Sequence, residues 1–211
     1  MSAVSVNVWM SEAEAAISAE RDHLTQLDAA IGDGDHGVNM DRGFNAVGKA
    51  LAGQDGSAPP GRLLVLAGKT LVSTVGGASG PLWGTALRHA GRALGDRNTL
   101  DGPGVVEAID AAVAGVVELG AAAPGDKTMV DALTPAAEAL RECLDQGLAL
   151  PDALARAAEA AEEGARATVP MQARKGRASY LGERSVGHQD PGATSSALIV
   201  AALGRALGPT G

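Results

Sequence analysis

Apolar residues recur at three- and four-residue intervals along most of this chain, and this periodicity constrains the fold more than any other feature. A clear example is the run of Val105, Ile109, Val113 and Val117. This spacing places all four on one face of an α-helix. We find no long alternation of apolar and polar residues, which a half-buried strand requires. Aromatic residues are only 2% of the sequence, so Ala, Leu and Val must fill the core, which favours packed helices over a sheet. The sequence therefore predicts an all-α protein.

Glycine-rich segments divide this pattern into about eight amphipathic helices. Runs of glycine destabilise a helix interior, and they occur at residues 31–37 and 76–80, with scattered glycines in 174–192. Ser79 before Gly80-Pro81 predicts a helix start capped by the serine hydroxyl. Short connections between amphipathic helices indicate an antiparallel bundle, and the length fits one domain, 1–211. We expect the first helix over 8–27, the second over 38–51, the fourth over 79–94 and the eighth over 193–207.

The charge balance limits the possible ligands. A net charge of -8 and a pI near 4.9 argue against nucleic acid, because phosphate contacts need clustered Lys and Arg. An anionic ligand would need the help of a cation. No apolar run is long enough to span a bilayer, and the N-terminus lacks the pattern of a signal peptide. We therefore expect a cytoplasmic protein with no membrane contact.

Three aspartates form the sharpest group of candidate functional residues. Asp33 and Asp35 flank Gly34, and Asp28 lies shortly before them. Carboxylates about 4 Å apart repel each other by several kcal/mol at an effective dielectric of about 20, so their proximity calls for a hard cation such as Mg²⁺ or Ca²⁺. An EF-hand loop starting at Asp33 would need Glu at its twelfth position, where Phe44 stands. A solvated aspartate-rich turn is the alternative that remains open.

Mg²⁺ usually binds a few carboxylates together with substrate phosphates, so we expect a phosphate ligand. The Gly-rich run 76–80 before a helix could seat it, although such a run is often only a connector. Met129 could face a flat ring or simply fill the core. Arg174, Lys175, Arg177 and Arg184 form a basic cluster that could neutralise moving phosphate charge or form a solvated loop.

Four motifs, taken together and in this order, resemble the L subunits of dihydroxyacetone kinases. The first is Ile31-Gly-Asp-Gly-Asp-His-Gly37 with Asp28 before it, and the second is Gly76-Gly-Ala-Ser-Gly-Pro-Leu82. The third is Gly125-Asp-Lys-Thr-Met129, and the fourth is Arg174-Lys-Gly-Arg-Ala-Ser-Tyr-Leu-Gly-Glu-Arg-Ser185. The resemblance implies an eight-helix antiparallel barrel with ADP or ATP bound at one end.

The resemblance also implies the role of individual residues. Asp28, Asp33 and Asp35 match the residues that hold two Mg²⁺ ions, and Arg177 matches a catalytic position that also contacts the nucleotide. The other positions that match nucleotide contacts are His36, Gly37, Val38, Asn39, Ala78, Ser79, Gly120, Met129, Asp190, Pro191 and Gly192.

In this family a separate K subunit holds dihydroxyacetone, and the L subunit delivers the γ-phosphoryl group. Free-standing L subunits resemble the bacterial form, in which a phosphotransferase-system M subunit recharges bound ADP in place. Three alternatives remain: a kinase subunit for another small ketose such as erythrulose, a nucleotide-binding regulatory adaptor, and the related domain of fatty-acid kinases, which favours a different first loop. The sequence leaves open whether the chain forms a homodimer.

Overall fold

The computed structural model describes residues 3–54, 58–99 and 101–207, and all regular structure within these ranges is helical. One 3₁₀ segment, Arg177–Ser185, lies before the last helix. The described ranges contain nine α-helices: α1 Ala3–Ala19, α2 Arg21–Ile31, α3 His36–Ala52, α4 Pro60–Thr74, α5 Ser79–Leu94, α6 Gly102–Gly120, α7 Val130–Asp145, α8 Leu150–Ala167 and α9 Pro191–Leu207. The all-α prediction is confirmed. Among the described helices, none has the length and apolarity needed to cross a membrane.

Eight of the nine helices form a closed ring, as expected for a helical barrel. Each of α3 to α8 packs against the helix that follows it, α9 packs against α1, and α1 packs against α3. The remaining helix, α2, lies against α3 and the 3₁₀ segment at one end of the barrel. The first helix differs from its expected span 8–27, because the helix is interrupted at Glu20 and a second helix, α2, continues to Ile31. Asp28 therefore lies in the last turns of α2, at the end of the barrel.

One end of the barrel collects the four connections that precede α3, α5, α7 and α9. Because neighbouring helices in the chain run in alternating directions, these four helices all begin at this end. The first turn of a helix has free backbone N–H groups and a partial positive charge. Four such helix starts at one end favour an anionic ligand there.

Glycines bring α4 and α5 unusually close together. A Cβ added at Gly61 would lie 2.6 Å from the carbonyl oxygen of Gly91, and one at Gly68 would lie 2.6 Å from the carbonyl oxygen of Gly84. Both distances are far shorter than any normal contact. The two helices therefore pack backbone against backbone, and neither can accept a side chain at these positions without moving apart.

This packing predicts opposite effects for two Gly→Ala substitutions within helices. Gly91→Ala is expected to lower the free energy of unfolding by about 1–3 kcal/mol or more through overpacking, because its Cβ would meet the Gly61 carbonyl. Gly204→Ala in α9 is the matched control, because its Cβ would make only ordinary contacts at 3.6 Å or beyond. It should raise stability by about 0.5–1 kcal/mol through helix propensity. Urea unfolding measures both, and equal effects would contradict the close α4–α5 contact.

Candidate functional site

An open cavity of about 680 Å³ lies at the end of the barrel where the four helices begin. Its size is typical of small-molecule sites. It is lined by residues from all four connections and from the segment 174–180. Among the residues singled out from the sequence, those on its wall are Asp28, Asp33, Asp35, His36, Asn39, Ala78, Ser79, Gly120, Met129, Arg174, Lys175, Arg177, Asp190, Pro191 and Gly192. Gly37, Val38 and Arg184 do not line it.

The three aspartates converge at one side of this cavity. Each offers a carboxylate oxygen, and these oxygens all lie within 4.8 Å of one another. Asp28 Oδ2 also accepts hydrogen bonds from the backbone N–H groups of Asp35 at 2.9 Å and His36 at 3.1 Å. A Cβ at Gly32 would overlap Asp28 Oδ1 at 2.1 Å, so glycine there leaves room for the carboxylate. The loop thus holds the aspartates together through its own backbone.

This group fits a hard divalent cation. Its donors are carboxylate oxygens, two of the three side chains are exposed, and Mg²⁺ prefers such ligands while keeping water and phosphate oxygens in its sphere. Arg177 lies on the same side, with its guanidinium 3.0 Å from Asp33 Oδ2. The side chains of Ala178 and Leu181 pack with Ile31 and Ala173, and this small cluster fixes the 3₁₀ segment on the end of α2. The site therefore offers carboxylates that can bind a metal cation and, beside them, an arginine that can bind an anion.

His36 links the starts of three helices. Its Nδ1 lies 3.0 Å from Ser79 Oγ and its Nε2 lies 2.9 Å from Ser195 Oγ. Ser195 donates its hydroxyl to the carbonyl oxygen of Gly192 at 3.1 Å, so it accepts from His36 Nε2–H, and Nδ1 accepts from Ser79. Burial lowers the pKa of His36, although Asp28 and Asp35 oppose this effect. A neutral imidazole therefore ties α3 to α5 and α9.

The Ser79 hydroxyl thus has a different role from the one that the sequence predicted. Helix α5 does begin at Ser79, but its N-cap is Ala78 and no side chain caps it. The expected serine cap is wrong, because the hydroxyl is used by His36 in another helix. Sequence spacing gives no sign of this contact, since the two residues lie 43 positions apart.

The opposite side of the cavity is mostly apolar. Met129, 5% exposed, stands directly before α7, and Gly120, which also lines the cavity, ends α6. Leu82, Val116 and Leu119 complete this wall. A polarizable methionine among aliphatic side chains suits a flat, weakly polar ring. The cavity thus has one polar, charged side and one apolar side.

Asp190 is a buried carboxyl at the start of α9. Its Oδ2 accepts from the backbone N–H of Ala193 at 2.7 Å, which caps the helix as the sequence allowed. Burial raises the pKa of Asp190 to about 7, and the Asp131 carboxylate adds to the rise, while the Ala193 N–H and Lys127 oppose it. Near neutral pH this carboxyl therefore titrates between its neutral and charged forms.

The raised pKa predicts a pH-dependent effect of Asp190→Asn on stability. Because the folded pKa of about 7 lies above the unfolded value, the folded state binds the proton more tightly. Protonation of Asp190 therefore contributes to the free energy of unfolding, and this contribution is lost as pH rises from about 4 to 7. Asparagine still caps a helix but does not ionise. The variant should therefore gain stability over the natural protein progressively across this window. Urea unfolding of the ligand-free protein in EDTA at several pH values measures the difference, and a constant difference would contradict the prediction.

Lys127 is a residue that sequence reasoning missed. Its side chain is only 1% exposed, and it lines the cavity two residues before Met129. Desolvation lowers the pKa of its ammonium group, while Asp190 acts in the opposite direction. Lysine is rarely buried, so a single Lys between Asp126 and Thr128 gave no reason to place it inside the protein. The resemblance pointed only to Met129 in this motif.

Comparison with known proteins agrees with this geometry. A family model described as "DAK2 domain" matches residues 30–205. The chain is 48% identical over 190 residues to the ADP-binding subunit DhaL of the PEP-dependent dihydroxyacetone kinase of Escherichia coli, covering 89% of each chain. It is 43% identical to an L-erythrulose 1-kinase of Mycolicibacterium smegmatis, covering 87% of this chain and 32% of that protein.

The fold is similar to a solved structure of the same class. The dihydroxyacetone kinase from C. freundii in complex with AMP-PNP and Mg²⁺ matches with a TM-score of 0.72 and 30% identity. The match covers 95% of this chain and 33% of that one, so this chain spans about a third of the length of that kinase. The motifs, the helical barrel and these relatives agree, and the chain belongs to the DAK2 domain family.

Proposed function

We propose that this chain is the nucleotide-binding, phosphoryl-transfer subunit of a dihydroxyacetone kinase. It passes the γ-phosphoryl group of Mg-ATP to dihydroxyacetone held on a separate K subunit. One observation carries the proposal: three carboxylates and Arg177 meet at the polar side of a cavity whose other side is apolar. A nucleotide has the same division, with charged phosphates at one end and a flat base at the other.

The metal ligands in this proposal are Asp28, Asp33 and Asp35, holding two Mg²⁺ ions. When bound, the ions neutralise phosphate charge, which is a large part of phosphoryl-transfer catalysis. The chain itself positions the nucleotide. The starts of α3, α5 and α9 direct backbone N–H groups toward the phosphates, and His36 fixes their relative placement through Ser79 and Ser195. Arg177 is the catalytic residue that meets the transferred phosphoryl group.

The apolar side of the cavity holds the adenine ring. Gly120 and Met129 face this end, and Asp190, Pro191 and Gly192 form the wall between base and phosphates. Asn39 and Ala78 complete the phosphate side, while Gly37 and Val38 contribute through the backbone of the first turn of α3. Glycine is also required at position 37 for packing, since a Cβ there would lie 1.9 Å from the Arg21 carbonyl oxygen.

The mouth of the cavity suits a protein partner. Tyr180, the single tyrosine of the chain, is 87% exposed, and Leu119 is 52% exposed. Both line the cavity, and exposed apolar side chains around a site favour protein contacts. The K subunit presents its sugar at this mouth, and a phosphotransferase-system M subunit recharges ADP there in the cytoplasm.

Three measurements test the proposal. Mass spectrometry of the gently purified protein should find retained ADP, and labelled ADP should exchange with it slowly. With a K subunit and dihydroxyacetone present, the M subunit and its phosphoryl donors should then support product formation. Transfer from free ATP with fast exchange would refute recharging in place. No transfer from either donor would favour a regulatory adaptor.

A second candidate function is supported by the erythrulose kinase relative. Because the sugar is held by the partner, the same subunit could serve another small ketose. A competition assay with dihydroxyacetone and erythrulose, using the K subunit that supports transfer from this chain, separates the two. A higher kcat/KM for erythrulose would replace dihydroxyacetone as the substrate.

A further inference from the structure

Lys127 makes an unusual set of contacts for a buried lysine. Its Nζ donates to three backbone carbonyl oxygens, those of Thr168 at 2.8 Å, Met171 at 3.1 Å and His188. Its own backbone has a positive φ of 62°, which is uncommon for a residue with a side chain. Burial of a charged group and a disfavoured backbone both cost stability. These costs indicate that the contacts serve a purpose.

The three carbonyls belong to the two ends of one long connection. Residues 168–190 leave α8 and return to α9, and their ends are joined where the Gly187 N–H donates to the Val169 carbonyl at 2.8 Å. The Asp190 N–H also donates to Thr168 Oγ1 at 2.9 Å. Lys127 lies outside this connection and donates hydrogen bonds to both of its ends.

The connection and the α6–α7 loop are therefore fastened together. A second contact reinforces the lysine, because the Arg174 N–H donates to the Asp126 carbonyl at 3.0 Å. The connection carries Arg177 to the polar side of the cavity. The α6–α7 loop carries Met129 to the apolar side. Lys127 thus joins the segments that supply the two opposite sides of the site.

We propose that Lys127 is a positioning residue that fixes the Arg177 segment relative to the base-binding wall at Met129. The role in catalysis rests on the proposed function. The ammonium group is suited to it, since one side chain with three donors can bind three carbonyl oxygens at both ends of the connection at once. The Arg177 side chain is exposed, so its placement depends on the rigidity of the segment that carries it.

A double-mutant cycle tests this inference. Lys127→Met retains most of the side-chain stem and removes the donors, and it should slow transfer to sugar on the K subunit by about 10- to 100-fold, the scale of an ångström-sized misplacement. In an Arg177→Ala background the same change should have little further effect, because the arginine is already absent. Additive losses would overturn the proposal. Lys49→Met, an exposed lysine on α3, is the control and should not change the rate.

A second measurement, amide hydrogen exchange, does not depend on phosphoryl transfer. Amide hydrogen exchange over residues 172–187 should become faster in Lys127→Met, while exchange in α4 and α5 stays unchanged. Where Lys127→Met does not fold, Lys127→Gln, which keeps one donor group, takes its place in both measurements. Unchanged exchange in the connection would refute the inference. If the natural protein shows no transfer, the proposed function fails, and hydrogen exchange alone then decides the role of Lys127.

Discussion

Asp35→Ala is expected to abolish Mg²⁺-dependent binding of ADP. The change removes one of three carboxylates whose oxygens lie within 4.8 Å of one another. Partners that merely orient metal ligands are worth about 10- to 100-fold in metal affinity, so loss of a ligand should weaken Mg-ADP by at least about 100-fold. Asp35 is the cleanest of the three to replace, because its side chain makes no capping hydrogen bond to α3. Asp28 caps that helix, and Asp33 pairs with Arg177.

Isothermal titration calorimetry with and without Mg²⁺ measures this effect. The matched control is Asp22→Ala, which removes an exposed carboxylate on α2 that pairs with neighbouring Arg21 at the surface. Such surface pairs contribute about 1 kcal/mol or less, so the control should bind Mg-ADP like the natural protein. In EDTA the natural protein and Asp35→Ala should bind ADP equally weakly. If Asp35→Ala binds Mg-ADP as tightly as the control, the metal assignment is wrong.

The aspartate group was predictable because it is local in sequence. Its members lie within eight residues, and Gly32 and Gly34 between them allow only a loop. The helices were predictable for a similar reason, since periodicity acts within one element. The closed barrel, by contrast, was predicted from the resemblance to dihydroxyacetone kinase L subunits and not from the apolar periodicity. The break at Glu20 was missed because the apolar spacing continues through it, and no glycine or proline marks the position.

Contacts between distant elements could not be derived from spacing. His36 and Ser195 are 159 positions apart, and Lys127 reaches His188 across 61 positions. Nothing in the local sequence distinguishes a lysine that enters the protein from one on the surface. Such contacts depend on how eight helices close into a ring, which is set by small residues such as Gly61 and Gly91 where helices touch.

Arg177→Ala is expected to reduce phosphoryl transfer by about 1,000-fold or more while leaving most nucleotide affinity intact. An arginine that stabilises transition-state charge in phosphoryl transfer contributes about 10³- to 10⁵-fold to kcat. Its ground-state contacts are weaker, because the Arg177 side chain is 65% exposed and pairs with Asp33 at the surface of the site. We therefore expect a large fall in kcat and a small change in the Kd for Mg-ADP. Single-turnover transfer to the K subunit and calorimetry measure the two quantities.

Two further variants separate charge from geometry at this position. Arg177→Lys keeps the positive charge but lacks the planar fork that binds phosphate oxygens in pairs, so it should recover only part of the rate. Arg184→Ala removes another exposed arginine of the same 3₁₀ segment and should leave transfer almost unchanged. A parallel loss of rate and affinity in Arg177→Ala would instead mean that the arginine only holds the nucleotide. Catalysis would then depend on the metal ions and the helix starts, and not on the guanidinium that pairs with Asp33.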